Sequence, residues 1–307
     1  MTVIVEAPGK INLTLEIFGR RPDGYHDIRS VLLPVSLTET ITVTDREDEQ
    51  IHCFTRGDGV NTDTLNSLPT ESHLAVKAAR KMQALCNTTR GCDITITKRI
   101  PVGAGMGGGS ADAAGVMVAL QTLWGNEKSS GALLQTAATI GSDVPALLHG
   151  GAVLMEGRGE TISPVLQPNQ AIPPPFWLVI VFPGVTVSTR NIYEKCVPHL
   201  TREPQICKNA ISSVRDGDVQ AASSWVFNGL QDTVYKLYPE TERFSLALRK
   251  GGALSSLVSG SGSAVFGLAE CQEHALDIQK RLQENVWSRV VMTMPDGVMA
   301  AHGPLMP

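Results

Sequence analysis

Five glycines lie close together in a segment that could bind a phosphate group. The segment runs from Pro101 to Ala114 and reads PVGAGMGGGSADAA. Glycine lets backbone N–H groups approach and surround a phosphate, and the N-terminus of a following helix adds partial positive charge. The sequence therefore predicts an anion-binding loop. The alternative is a tight turn in which Ser110 only caps a helix.

Two common nucleotide-binding motifs fit this segment poorly. A Walker loop needs G-x-x-x-x-G-K-[ST], and no glycine of the chain is followed by that lysine and hydroxyl pair in a suitable frame. Gly103, Gly105 and Gly108 match the G-x-G-x-x-G pattern, which also needs an acidic residue about 20 positions further on. Glu127 has roughly that offset but lies in a predicted turn. A dinucleotide-dependent dehydrogenase therefore stays an alternative.

Alternating and helical patterns predict the elements that position this loop. Asp93 to Lys98 alternates like a strand before the loop, and apolar residues recur at helical spacing after Ser110. Near the start, Ile11 to Ile17 alternates like a half-buried strand, which puts Lys10 at the strand's start. The polar stretch from Gly19 to Asp27 is predicted as a loop long enough to hold a ligand.

The rest of the chain predicts further helices and strands in two α+β units. Helices are expected at 72–86, 133–140 and 270–283, and strands at 151–155, 177–182, 254–258, 264–268 and near 290. A chain of 307 residues is typical of two domains, and prolines between 167 and 175 interrupt regular structure. We therefore expect one domain at 1–168 and a second at 169–307.

Composition and charge are those of an ordinary globular protein. Apolar residues make up 42% of the chain, and the net charge of −4 provides no basic field for nucleic acid or an anionic membrane. We expect no export signal, and the sequence has no apolar stretch of about 20 residues. Six cysteines lack a CxxC pair, and the histidines beside them lack zinc-ligand spacing. We expect a cytoplasmic protein that binds neither nucleic acid nor membrane.

Three separated segments resemble the GHMP kinase superfamily, which includes galactokinase, homoserine kinase, mevalonate kinase and phosphomevalonate kinase. They are Ala7–Leu13 (APGKINL), the glycine loop, and Val258–Phe266 (VSGSGSAVF), in matching order and spacing. The resemblance implies ATP-dependent phosphorylation of an alcohol. It also implies an α+β, two-domain GHMP kinase fold, with an N-terminal domain like domain 2 of ribosomal protein S5 and a ferredoxin-like C-terminal domain.

Two further segments narrow the resemblance. Gly19–His26 (GRRPDGYH), and Ile140–Pro145 (IGSDVP) with GRGE at 157–160 behind it, are similar to kinases that phosphorylate the 2-hydroxyl of 4-diphosphocytidyl-2-C-methyl-D-erythritol in non-mevalonate isoprenoid biosynthesis. Gly9 is commoner in mevalonate-type members, and Ala111 stands where a second serine is frequent. A mevalonate-type or other alcohol acceptor, and a catalytically silent ligand sensor, remain alternatives.

The resemblance assigns the catalytic centre to Lys10 and Asp143. Asp143 would act as general base on the acceptor hydroxyl, and Lys10 would favour the ionised form of Asp143 and steady the alkoxide. Taken alone, Lys10 could be a surface lysine at a strand edge and Asp143 a helix cap. The Ser259–Ser263 segment could line the site or be a plain hairpin connection.

The resemblance also assigns the ligand-binding residues. ATP would bind Lys98, Pro101, Val102, Gly103, Ala104, Gly105, Met106, Gly107, Gly108, Gly109, Ser110 and Ala111. Lys98 would lie at the nucleotide edge, or else be a solvated charge, and Ser110 would bind the phosphates and Mg²⁺.

The implied acceptor is a small molecule, a cytidylated methylerythritol. Tyr25 and Tyr193 would sandwich its cytosine ring, His26 would hydrogen-bond the ring edge, and Asn12 would help hold the erythritol hydroxyls. We expect the protein to be a monomer or a weak homodimer.

Overall fold

The computed structural model describes residues 1–125, 130–167, 169–196, 205–282 and 285–300. The strands are β1 (Thr2–Arg20), β2 (His26–Arg46), β3 (Ile51–Gly57), β4 (Gly91–Lys98), β5 (Val153–Gly157), β6 (Thr161–Pro164), β7 (Trp177–Phe182), β8 (Phe227–Asn228), β9 (Ser255–Val258), β10 (Val265–Ala269), β11 (Trp287–Met292) and β12 (Met299–Ala300). The helices are α1 (Asp63–Asn66), α2 (Leu74–Cys86), α3 (Gly108–Leu123), α4 (Ser130–Ala138), α5 (Val144–His149), α6 (Thr189–Lys195), α7 (Gln205–Asp216), α8 (Val219–Ser223), α9 (Gln231–Leu237), α10 (Pro239–Lys250) and α11 (Gln272–Arg281).

An eight-stranded sheet is built around the two longest strands. β1 and β2 pair antiparallel along almost their whole length. β4 pairs antiparallel with β2, and β3 runs parallel to β4 at the edge. β5 and β6 extend the sheet beside the first part of β2. The short strands β8 and β12 both pair with β1, so the second half of the chain also contributes to this sheet.

Helices α2 and α3 pack on one face of the eight-stranded sheet. In α3 every residue from 111 to 120 is buried, as expected for a helix that is apolar on nearly all sides. Its side chains share a core with Val5, Ile41 and Ile94 of the sheet. The glycine loop, which directly precedes α3, is therefore attached to a deeply buried helix.

A second, four-stranded sheet has the order β11-β7-β10-β9, with all neighbours antiparallel. α10 and α11 cover one of its faces through Phe244, Leu248 and Ile278. Its other face shares a core with Ile11 and Leu13 of β1. Strand β7 has the predicted bounds, because its six residues are bounded by prolines on both sides.

The first strand differs from the prediction. β1 begins at Thr2, so Lys10 lies in its middle and not at its start. Pro8 and Gly9 mark a register shift between β1 and β2, and the pairing continues through this irregularity. β1 extends to Arg20 and β2 begins at His26, so the loop predicted at 19–27 is reduced to residues 21–25.

The boundary expected between residues 168 and 169 stays a prediction. Predictions made above also involve Pro168, Glu127 and Gln283, which lie outside the described residues. Among the residues that the structure describes, no helix is both long enough and apolar enough to cross a membrane.

Candidate active site

The predicted site residues meet in a cleft with a volume of about 1010 Å³. Its walls come from the β1–β2 turn, the glycine loop, the start of α2, residues 142–143, α6 and the β9–β10 loop. All predicted site residues line the cleft except Ala111. Ala111 is fully buried in the core, and its N–H donates to the carbonyl of Gly107 at 2.8 Å. The helical turn directs the Ala111 side chain away from the cleft, and a contact of Ala111 with ATP stays a prediction.

The glycine loop has four consecutive carbonyl groups bound by the rest of the protein. The acceptors and their donors are Gly103 with Val187 N–H at 3.2 Å, Ala104 with Ala264 N–H at 3.0 Å, Gly105 with Lys10 Nζ at 2.9 Å, and Met106 with Lys10 N–H at 3.0 Å. In a trans peptide the carbonyl and the following N–H point in opposite directions. The N–H groups of residues 104–107 are therefore directed away from these donors. Fixed N–H groups of this kind are suited to bind an anion without rearrangement.

The loop requires glycine at its sharpest positions. Gly103, Gly105 and Gly107 have φ of 68°, 75° and 72°, in the left-handed region that glycine adopts easily. At Gly105 there is also no room for a side chain, because a Cβ would overlap the carbonyl oxygen of Ser259. The segment is thus held close to the β9–β10 loop.

Helix α3 begins at Gly108 with Gly107 as its N-cap, and no side chain caps it. The alternative in which Ser110 is the cap is therefore wrong. Ser110 lies in the first turn and lines the cleft together with Gly108 and Gly109. The first N–H groups of a helix have no partner within the helix, which leaves them available to a phosphate at this end of the cleft.

Lys98 belongs to a buried ion cluster below the start of α3. Its Nζ lies 2.7 Å from Glu39 Oε1 and 2.7 Å from Asp112 Oδ2. The side-chain exposures of Lys98, Glu39 and Asp112 are 2%, 0% and 8%, so the alternative of a solvated charge is wrong. A Cβ on Gly108 would lie 3.3 Å from Lys98 Nζ, which shows how closely the cluster supports α3. A contact of Lys98 with the nucleotide stays a prediction.

The charges of this cluster shift each other's ionisation. Burial acts to lower the pKa of Lys98, but the carboxylates of Asp112 and Glu39 outweigh it, so the pKa is raised. Burial raises the pKa of Glu39 to about 7 and also raises the pKa of Asp112. One ammonium shared by two carboxyl groups thus stays charged, and Glu39 takes up a proton near neutral pH.

Lys10 is buried and connects three parts of the site. Its Nζ donates to Asn12 Oδ1 at 2.7 Å and to the Gly105 carbonyl at 2.9 Å, and it lies 3.4 Å from Asp143 Oδ2. Only 3% of Lys10 is exposed, so the alternative of a surface lysine is wrong. Asn12 Nδ2 donates in turn to Ser30 Oγ at 2.7 Å. Asn12 therefore orients the ammonium, and its predicted contact with acceptor hydroxyls stays a prediction.

Asp143 occupies the N-cap position of α5, but its side chain makes no capping hydrogen bond. Its carboxylate lies beside Lys10, as predicted, and 28% of the side chain is exposed, against 4% for Lys10. The alternative of a helix cap is therefore wrong for its side chain. A carboxylate that is half-buried next to an ammonium and open to the cleft can reach a bound hydroxyl.

The β9–β10 loop both connects a hairpin and lines the cleft. Ser259 Oγ donates to the Gly105 carbonyl at 3.1 Å, so the two glycine-rich loops are joined at one oxygen. Ser261 Oγ lies 2.8 Å from Thr189 Oγ1 at the start of α6. This loop therefore connects the phosphate end of the cleft to the helix that carries Tyr193.

The opposite end of the cleft is built from aromatic and basic side chains. The rings of His26 and Tyr193 have centroids 5.3 Å apart and are tilted by 39°. The Arg158 guanidinium lies 5.3 Å from the centroid of the Tyr25 ring, which is 53% exposed. Both tyrosines thus reach the cleft, but each ring already contacts another side chain. A sandwich of the cytosine between Tyr25 and Tyr193 stays a prediction.

Burial controls the ionisation at this end. Burial, assisted by the charge of Arg20, lowers the pKa of His26, so the imidazole is neutral near pH 7. Burial, assisted by the charge of Asp143, raises the pKa of Tyr193. A neutral imidazole has one donor and one acceptor nitrogen, which suits the edge of a nucleobase.

Three residues that line or support the cleft were not predicted from the sequence as functional candidates: Glu39, Asp112 and Arg158. Arg158 lies in the GRGE segment that carried the resemblance, but no role was derived for it. Glu39 comes from β2 and Asp112 from α3, whereas Lys98 comes from β4. Neither carried a local signal, because only the folded sheet brings them together.

Comparison with known proteins identifies both parts of the chain. The family model for the GHMP kinase N-terminal domain matches residues 73–151, and the family model for the GHMP kinase C-terminal domain matches residues 203–287. A 4-diphosphocytidyl-2-C-methyl-D-erythritol kinase of Pelotomaculum thermopropionicum is 34% identical over 92% of this chain and 94% of that protein. The enzyme of the same name from Bacillus mycoides is 34% identical over 87% of this chain and 88% of that protein.

Solved structures agree with these relatives. A crystal structure of 4-(cytidine 5'-diphospho)-2C-methyl-D-erythritol kinase matches with a TM-score of 0.74 and 30% identity, covering 95% of this chain and 99% of that one. A homoserine kinase from Cytophaga hutchinsonii has a TM-score of 0.75 at 18% identity, covering 97% of both chains, which shows the shared fold alone. The predicted two-domain α+β GHMP kinase fold is confirmed. The chain belongs to the GHMP kinase family and, within it, to the 4-diphosphocytidyl-2-C-methyl-D-erythritol kinases.

Proposed function

We propose that this protein transfers the γ-phosphoryl group of ATP to the 2-hydroxyl of 4-diphosphocytidyl-2-C-methyl-D-erythritol. The observation that carries the proposal is the pair of Lys10 and Asp143, 3.4 Å apart, in a cleft with a phosphate-binding loop at one end and His26 and Tyr193 at the other. This arrangement can hold a triphosphate on one side of the Asp143 carboxylate and a nucleoside-linked alcohol on the other.

At the phosphate end, the protein supplies mainly positioning and neutralisation of charge. Phosphoryl transfer passes through a loose transition state whose charge lies on the transferred oxygens. The N–H groups of residues 104–107 and of the first turn of α3 are directed by bonds that exist before any ligand binds. Donors fixed in this way stabilise developing charge without reorganisation.

Mg²⁺ is expected with ATP, and the described residues offer it few protein ligands. Among the described residues, no group of three or more His, Cys, Asp or Glu side chains could hold a metal ion. Mg²⁺ commonly takes one or two protein ligands and completes its shell with phosphates and water. The Ser110 hydroxyl at the phosphate end would be such a ligand. When bound, Mg²⁺ supplies neutralisation of phosphate charge.

Asp143 is the general base in this proposal. Its carboxylate accepts the proton of the acceptor hydroxyl as that oxygen attacks the γ-phosphorus, and the bond to the leaving ADP oxygen breaks. Lys10 holds the carboxylate in place and neutralises the attacking oxygen. Because Lys10 also binds the Gly105 carbonyl, a single ammonium sets the distance between the base and the phosphate loop.

At the acceptor end, neutral His26 and the two tyrosines are suited to a cytosine ring. Buried imidazole nitrogens can recognise the edge of the base, and tyrosine faces can stack on it. Arg158 and Tyr25 form the exposed wall of this end. The relatives' shared name supports a cytidylated acceptor over mevalonate.

The test is ADP formation by the purified protein with ATP, Mg²⁺ and a panel of acceptors. We expect turnover with 4-diphosphocytidyl-2-C-methyl-D-erythritol and none with mevalonate or homoserine. ³¹P NMR of the product should show the new phosphate on the 2-hydroxyl. Turnover with mevalonate alone would reassign the acceptor. Binding of ATP and the cytidylated acceptor without turnover would indicate a silent sensor.

A further inference from the structure

Strand β9 lies at the edge of the four-stranded sheet, and side chains replace a neighbouring strand there. The N–H of Val258 donates to Gln231 Oε1 at 3.3 Å. The carbonyl of Val258 accepts from Asn228 Nδ2 at 2.8 Å. The backbone that leads into the β9–β10 loop is thus held by two amide side chains from the segment around β8 and α9.

Asn228 makes more bonds to this loop than Gln231 does. Its Nδ2 also donates to the carbonyl of Gly260 at 2.7 Å, and its Oδ1 accepts from the N–H of Leu230 at 2.9 Å. The residue is 5% exposed. Both donor hydrogens are used on the loop, so the side chain has a fixed orientation and cannot be replaced by an acceptor.

Asn228 also belongs to the sheet that carries the catalytic lysine. β8 runs parallel to β1, with Asn228 opposite Leu15, so the residue is attached to the strand of Lys10 and Asn12. The side chain therefore joins β1 of one sheet to the loop of the other. In the segments that the structure describes, this is a direct connection between the two walls of the cleft.

Gly260 lies against the catalytic ammonium. A Cβ at Gly260 would lie 3.0 Å from Lys10 Nζ and 3.1 Å from Asn12 Oδ1. The neighbouring Ser259 Oγ shares the Gly105 carbonyl with Lys10. A shift of this loop therefore changes the space in which the Lys10 amine sits, and with it the approach to Asp143.

We propose that Asn228 is a positioning residue for phosphoryl transfer. Its two donated hydrogen bonds hold the β9–β10 loop against β1, and this keeps Lys10 Nζ beside Asp143 and the glycine loop. The inference deepens the proposed function, since it rests on the catalytic role of Lys10.

The test compares two amide-to-acid substitutions on the same strand edge. Asn228→Asp keeps the shape but removes both donors and turns an anion towards two carbonyl oxygens. Gln231→Glu keeps the acceptor that Val258 uses, so it is the matched control. We expect kcat of Asn228→Asp to fall roughly 10- to 100-fold at saturating ATP and acceptor, the scale of a small misplacement of reacting groups. The KM values of Asn228→Asp should stay within about threefold of those of the unsubstituted protein, and so should the activity of Gln231→Glu.

Two readouts separate positioning from loss of folded protein. All rates are divided by the folded fraction, which circular dichroism measures. The first readout is the pH dependence: the rate of Asn228→Asp relative to the unsubstituted protein should rise as pH falls, because a protonated carboxyl regains one donor. Amide hydrogen exchange over 255–265 should be faster in Asn228→Asp and unchanged in Gln231→Glu.

The exchange measurement needs no acceptor, so it judges the inference even where the proposed acceptor is not turned over. Unchanged exchange in Asn228→Asp would overturn the inference, as would a normal rate per folded molecule or an equal loss in Gln231→Glu. Absence of turnover by the unsubstituted protein would overturn only the proposed acceptor.

Discussion

The two ends of the cleft are built in different ways. At the phosphate end, main-chain groups form the binding surface, and each carbonyl from Gly103 to Met106 is bound by another part of the protein. At the acceptor end, side chains form the surface, and Tyr25 is more than half exposed. The phosphate end is fixed before a ligand arrives, whereas the acceptor end depends on the identity of a few side chains.

This difference explains how one fold can serve several acceptors. Main-chain amides bind phosphate whatever the side chains are, provided that glycine permits the turns. Side chains on the β1–β2 turn and on α6 can change without disturbing the loop. We therefore expect substitutions at the phosphate end and the centre to affect catalysis or folding, and those at the acceptor end to affect the KM of the acceptor.

The largest effect is expected at the centre, where the two ends meet. Asp143→Asn removes the proposed base while keeping the shape, so kcat should fall by about 10²- to 10⁴-fold. KM for ATP should hold, because the phosphate loop does not use this side chain. Steady-state kinetics check this, with Asp277→Asn on the exposed face of α11 as the control. Near-normal turnover would remove Asp143 from the mechanism.

The next effect concerns folding below the phosphate end. Lys98→Met leaves Glu39 and Asp112 as two buried carboxyl groups without their cation. Removing one charged partner from a buried ion cluster lowers the free energy of unfolding by about 3–5 kcal/mol. Urea denaturation measures it, and Lys280→Met, which removes a lysine with a 75% exposed side chain, should change stability by less than about 0.5 kcal/mol.

The sign of the pH dependence sharpens this prediction. The pKa of Glu39 is raised to about 7 from 4.5, so the stability that this group contributes is complete below pH 4.5 and is lost as pH rises through about 7. Lys98→Met should raise the pKa of both carboxyl groups further. The loss of unfolding free energy in Lys98→Met should therefore be smaller at pH 5 than at pH 8. An equal loss at both pH values would contradict the assigned cluster.

A smaller effect is expected in the phosphate loop itself. Gly105→Ala forces a side chain onto a backbone with φ of 75°, where a Cβ meets the Ser259 carbonyl. The loop must shift by a fraction of an ångström or more, so kcat/KM for ATP should fall by roughly 10²-fold. Gly131→Ala is the control, because a Cβ there meets nothing within 4 Å on helix α4. Equal activity of both variants would show that the loop is not preformed.

The sequence predicted the phosphate end better than the ion cluster below it. The glycine loop is contiguous, so its pattern alone indicated an anion site between a strand and a helix. Lys98 shares the alternating face of Ile94 and Ile96, and this period of two was a usable signal for its burial. Glu39 and Asp112, its partners, come from separate elements, and no local pattern predicts such a meeting.

The first strand shows why element bounds were less predictable. Pro8 and Gly9 are typical strand breakers, yet β1 continues through them with a shift of register. A Cβ at Gly9 would lie 3.0 Å from Ile100 Cδ1, so the backbone of β1 packs closely against Ile100 at this point. The sequence alone does not reveal this tertiary contact, nor the pairing with β2 that continues past the glycine.

The smallest effect, and the one that isolates the acceptor end, is a pH dependence at His26. Burial and Arg20 lower the pKa of its imidazole from the usual 6.5, so His26 is neutral at pH 7 to 8 and takes up a proton only below 6.5. Protonation removes the acceptor nitrogen and adds a cation near Arg20. KM for the cytidylated acceptor should therefore be constant from pH 8 to about 6.5 and rise up to roughly tenfold as pH falls further, the scale of one lost hydrogen bond. KM for ATP should stay constant over this range, because the proposed ATP site lies at the other end of the cleft. His26→Gln cannot titrate in this range, so its KM should be higher at pH 8 and flat on acidification. The same rise in His26→Gln would assign the titration to another group, whereas a flat profile in the unsubstituted protein would exclude His26 from recognition of the acceptor.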